Sequence, residues 1–104
     1  MAKRQIVWTL TAANQRRHIL EYWIEHNQST AYSEKLIEIF RERAQQLIEN
    51  PKLGKKADFP KTRVISLGHF SIFYKVTKDR IIITSLWDNR QDPKKLLKLL
   101  ENGL

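Results

Sequence analysis

The chain contains no cysteine, only three glycines and three prolines, and a single methionine. Without cysteine there can be no disulfide framework, no thiolate zinc site and no thiol nucleophile. No stretch approaches the roughly 18 apolar residues that a transmembrane helix needs. Met1-Ala2-Lys3-Arg4 starts basic, but no apolar segment stands behind it, so neither a signal peptide nor a membrane contact is expected. The expected location is cytoplasmic. Repeats, low-complexity runs and linkers are also lacking. Acidic residues are scarce, with eleven Asp and Glu against nineteen Lys and Arg.

At 104 residues the chain has room for one core, and we read 1–104 as a single domain. A hydrophobic content of 41% and ten aromatic residues suffice to fill that core. The formal charge of +8 is unevenly spread. Residues 1–50 hold seven basic and six acidic side chains, whereas residues 51–104 hold twelve and five. A one-sided basic excess points to a polyanionic or acidic partner.

Gln5-Ile6-Val7-Trp8-Thr9 reads as a short strand, with Thr9 or Thr11 able to cap a following helix. Ala12, Ile19, Tyr22 and Trp23 fall on one helical face between about Thr11 and His26. A second helix is expected from about Thr30 to Glu49, with Leu36, Ile37, Phe40, Ala44, Leu47 and Ile48 as its apolar stripe. Asn50-Pro51 ends it. Lys52 to Lys61 reads as a long basic loop, of a length that is often functional.

The period then switches to two. Thr62–Leu67 and Phe70–Val76 read as strands around a Gly68-His69 turn, with Phe70, Ile72, Tyr74 and Val76 on one face. Arg80–Trp87 is apolar on both faces and so central. Asp92-Pro93 suits the start of a short helix, Pro93–Glu101. The expected fold is α+β, in the order β-α-α-β-β-β plus a short C-terminal helix. Two antiparallel N-terminal helices pack on a mainly antiparallel four-stranded sheet.

Four strings in this order resemble the RelE/ParE toxin superfamily. Val7-Trp8-Thr9-Leu10-Thr11-Ala12 is similar to its opening, where proline often stands in place of Leu10. Leu47-Ile48-Glu49-Asn50-Pro51-Lys52-Leu53-Gly54 resembles its L-x-x-x-P-x-x-G segment. Ile72-Phe73-Tyr74-Lys75-Val76 and Trp87-Asp88-Asn89-Arg90-Gln91-Asp92-Pro93 resemble its two closing strings. The resemblance implies the toxin of a type II toxin–antitoxin pair, held inactive by a cognate acidic antitoxin.

For members of the RelE kind the resemblance implies metal-independent cleavage of messenger RNA on the ribosome by basic residues and a C-terminal tyrosine. Arg90 matches one of those positions, while Ser71 and Leu96 stand where an arginine and the tyrosine are expected. Members of the ParE kind inhibit DNA gyrase, and the Asn89-Arg90-Gln91-Asp92 segment is closer to theirs. A toxin-like fold kept only as a binding module is the third reading.

Arg90 is the candidate catalytic residue if the protein is an enzyme. It is also a candidate contact to nucleic acid or another target, with Lys52, Lys55, Lys56, Lys61, Arg63 and Tyr74. For Arg90 an ion pair with Asp88 or Asp92 is the plainer alternative. For Lys61 and Arg63 it is a charged edge strand that blocks further pairing. Tyr74 stands out from the other aromatics because its hydroxyl must find water or a partner. His69 could serve as a general acid, but a turn residue without that duty is the simpler expectation. His18 and His26 lie about 12 Å apart along a helix, so no metal site and no cofactor are expected.

Overall fold

A computed structural model describes residues 3–91. The chain runs β1 (Gln5–Trp8), α1 (Leu10–Asn27), α2 (Ala31–Glu49), β2 (Lys55–Lys56), β3 (Arg63–Leu67), β4 (Phe70–Val76) and β5 (Arg80–Asp88). The expected helix Pro93–Glu101 lies outside the described residues.

The sheet has five strands in the order β1-β5-β4-β3-β2. It differs from the expected four strands in two ways. Two residues of the basic loop, Lys55 and Lys56, pair with Val64 and Arg63 as a short edge strand. The first strand joins parallel to the last, with Gln5 opposite Arg80 and Trp8 opposite Ile83. All other pairings are antiparallel. β5 is flanked on both sides, as its two-faced apolar sequence requires.

Thr9 joins three of these elements. Its side-chain oxygen accepts from the Ala12 N–H at 3.2 Å, which caps α1, and its hydroxyl also donates to the Thr84 carbonyl of β5. Leu10 is thus the first helical residue, and its side chain is exposed. Proline is favoured at that position because its missing N–H has no helical partner to lose. α1 ends at Gln28, held left-handed at φ 50° with its N–H on Ile24 O. α2 ends where Asn50-Pro51 stops it.

Both helices cover one face of the sheet. Ala12, Ile19, Leu36, Phe40, Ala44 and Leu47 meet Ile65, Leu67, Phe70, Ile72, Tyr74, Ile81, Ile83 and Leu86 in the main core. Tyr22, Ile37 and Val76, expected on apolar faces, are exposed instead. A smaller cluster on the opposite face joins Phe73 and Trp87 to Ala57, Phe59 and Val64. A β-bulge divides these faces. Tyr74 pairs with Ile83 and Phe73 with Ser85, which leaves Thr84 without an opposite residue. The extra residue turns Leu86 to the helix side and Trp87 away from Ile81 and Ile83.

Candidate functional site

The chain leaves β5 at Asp88 in a tight turn, with the Gln91 N–H on Asp88 O and the Arg90 N–H on Asp88 Oδ1. That turn folds Arg90 back onto Asp88. Its Nε and Nη2 donate to the two carboxylate oxygens at 2.9 and 2.8 Å, a forked ion pair. These hydrogen bonds hold the Asp88 carboxyl below its usual range, against the opposing effect of burial. The same guanidinium lies 5.1 Å from the centre of the Trp23 ring, within cation–π range.

Trp23 is the hub of an aromatic group on the helices. Tyr22, His26 and Tyr32 pack edge-on or near edge-on to it at 5.0–5.4 Å, and Tyr22 stacks on His26. Between α1 and the end of β5 lies a cleft of about 730 Å³, lined by Gln15, His18, Tyr22, Trp23, Asp88 and Arg90 among others. Gln15 Oε1 accepts from Ser85 Oγ and Leu86 N, and its buried Nε2 has no partner among the described residues. The plainer expectation for Arg90, an ion pair with Asp88, is what the structure shows, and the paired side chain also lines this cleft.

Ser71 is buried on β4, opposite Trp87, and its hydroxyl donates to Asn89 Oδ1 at 2.9 Å. No cationic side chain can occupy that position without displacing this pair. Leu96 and Asp92 lie outside the described residues.

A second cluster forms at the other end of the molecule. Lys52, Lys56, Lys61 and Arg63 line one groove of about 760 Å³ with Arg4, a residue that no sequence pattern singles out. The Lys3-Arg4 pair ahead of β1 is its only local signal. Lys55 is exposed but does not line the groove. Among the described residues the groove lining contains no acidic side chain. None of its cations is in an ion pair among the described residues.

The loop carrying these charges is fastened from within. Tyr74, expected as a candidate target contact, is instead fully buried, so its ring has no face to offer a base. Its hydroxyl donates to Pro51 O at 2.9 Å and accepts from Gly54 N at 2.8 Å. Burial pushes its pKa up, partly offset by the Gly54 hydrogen bond and the nearby Arg63 charge. Arg63 donates to Gly54 O at 2.8 Å. A Cβ on Gly54 would lie 2.7 Å from both the Tyr74 hydroxyl and Val64 O, so only glycine fits beneath this clasp.

His69 is exposed in the turn before β4, where its carbonyl accepts from Asn89 N. Among the described residues no three His, Asp or Glu side chains gather as a metal site would require. No helix of the described residues is long and apolar enough to cross a membrane.

The family model described as the ParE toxin of the type II toxin–antitoxin system parDE matches residues 6–93. No curated protein matches the chain. Among solved structures, the chromosomal ParDE toxin–antitoxin system from P. aeruginosa shares the fold with a TM-score of 0.70. It is 20% identical, and the match covers 81% of this chain and 94% of that one.

Proposed function

The chain belongs to the ParE toxin family of type II toxin–antitoxin systems, and on that premise we propose that it arrests growth by binding and inhibiting DNA gyrase. The contacts include Arg90 and the aromatic cleft beside it. The observation that carries this reading over messenger RNA cleavage is the local chemistry around Ser71. A ribonuclease of this fold must neutralise a developing phosphorane with several cations. Here Ser71 is buried with its hydroxyl on Asn89, and Arg90 is already forked onto Asp88. One paired arginine supports recognition better than charge stabilisation in a transition state.

As a type II toxin the protein has a cognate antitoxin. We take that antitoxin to be acidic, because the chain as a whole carries a formal charge of +8. The exposed Tyr22 and the Trp23 cleft add amphipathic rings of the kind that dominate protein interfaces.

Induced expression without the antitoxin tests the reading. Growth arrest should come with gyrase-dependent DNA breaks, while primer extension finds messages intact. Arg90→Ala should relieve the arrest while leaving the protein folded. Codon-position cuts in messages that vanish in Arg90→Ala would instead establish a ribosome-dependent endoribonuclease. Normal growth with abundant folded protein would leave a toxin fold that serves only as a binding module.

A further inference from the structure

We propose that the groove between the N-terminal segment, the end of α2 and the β2–β3 edge binds the phosphodiester backbone of DNA. The toxin would then engage gyrase together with the DNA it holds. This setting rests on the gyrase reading; the groove's affinity for DNA does not.

Five cations from five parts of the chain converge there: Arg4 before β1, Lys52 after α2, Lys56 in β2, Lys61 in the following loop and Arg63 in β3. They form a track whose lining, among the described residues, has no carboxylate, and none of its cations is in an ion pair there. A line of phosphates supplies opposite charge along its whole length. Phe59, half-buried in the same wall, adds an apolar surface beside the charges.

The track is also held in place. Tyr74 and Arg63 clasp Pro51 and Gly54, and the Ala57 N–H on Thr62 O and Thr62 N–H on Phe59 O close the loop. Lys61 itself sits in left-handed backbone at φ 56°, a conformation costly for a residue with a Cβ. A backbone fixed before binding has little ordering left to lose on meeting a ligand.

Two features favour phosphates over an acidic peptide. Three of the five cations are lysines, which meet phosphates as point charges. The two arginines, whose forks suit either anion, are each partly committed to a backbone carbonyl, Thr77 O and Gly54 O. The edge strand β2 has only two residues, too few for a peptide to gain much by adding to the sheet.

The test is fluorescence anisotropy of a labelled 20-base-pair DNA duplex with the full chain over a range of salt concentrations. The double variant Lys56→Gln, Lys61→Gly should make the slope of log affinity against log salt shallower by roughly two, at about one unit for each phosphate left without its lysine. Glycine at Lys61 keeps the left-handed turn without strain, so the variant should unfold at or above the wild-type temperature. Arg17→Gln with Lys35→Gln removes the same charge from the helices and should leave the slope unchanged.

Equal slopes for the two double variants would overturn the proposal, because affinity would then follow net charge alone. Stronger competition by a polyglutamate peptide than by unlabelled duplex at equal charge would overturn it in favour of an acidic protein segment. Groove-dependent DNA binding by a toxin that leaves gyrase supercoiling untouched would support the groove and sink the gyrase reading.

Discussion

The Tyr74 hydroxyl donates to Pro51 O and accepts from Gly54 N, which leaves it little capacity for an outside ligand. The need for a partner is legible in the sequence, since an apolar strand position holds a phenol. That the partners lie twenty or more residues back in the chain is not, because a hydroxyl carries no signal of what will fold over it. Tyr74→Phe should strand both backbone groups and cost about 1–3 kcal/mol in urea unfolding.

The pH dependence at this residue has a definite sign. The folded pKa of Tyr74 lies above its ordinary value, so its stabilising contribution is complete below about pH 10. It is lost as pH rises through the folded pKa. Wild type should therefore lose stability at alkaline pH, and Tyr74→Phe, though weaker at neutral pH, should lose less over the same range. Parallel alkaline curves for the two proteins would mean that Tyr74 titrates alike in the folded and unfolded states, against the raised folded pKa. Asp88 behaves oppositely: its lowered pKa stabilises above about pH 4 and is lost in acid. Arg90 is 44% exposed, so that pair contributes no more than about 1 kcal/mol.

Elements are legible where periodicity is strong and obscure where one residue changes the phase. α1 and α2 begin and end within a residue or two of their expected limits, since Thr9 and Pro51 mark boundaries through local chemistry. β5 departs from its pattern. Strict alternation from Ile81 and Ile83 would place Ser85 and Trp87 in the main core, but the bulge at Thr84 puts Leu86 there instead. Trp87 then packs with Phe73 on the far face, and Thr84 Oγ1 donates to Phe73 O across the irregularity. Thr9 is the local seam between β1, α1 and β5. Thr9→Ala should cost about 0.5–2 kcal/mol by removing the α1 cap, measurable as a lower urea midpoint with an unchanged slope. A change of slope would indicate that α1 had also detached.

Across the whole molecule, a charge of +8 opposes compaction. The thermal midpoint should therefore rise as NaCl is raised from about 50 to about 500 mM, because screening weakens repulsion beyond a few ångströms. The groove double variant should show a smaller rise, since two of the crowded charges are gone. An equal rise in both would mean that the groove cations do not strain the fold.

Composition and periodicity by themselves pointed to a basic α+β fold with two helices beside a sheet, and displayed a charge excess in the second half. These depend on local spacing and on counts, which a linear chain displays directly. Four strings in order were enough to point to the toxin superfamily, and the family match over residues 6–93 bears that out. The parallel pairing of β1 with β5, the meeting of Arg4 with Lys52, Lys56, Lys61 and Arg63, and the stacking of Arg90 over Trp23 were decided only in three dimensions. Each joins residues far apart in sequence, and such contacts form only when burial of the shared core brings their elements together. The absence of cysteine ruled out disulfides and thiol chemistry from the outset; the buried clasp of Tyr74 on Pro51 and Gly54 shows how this chain fastens its basic loop by hydrogen bonds.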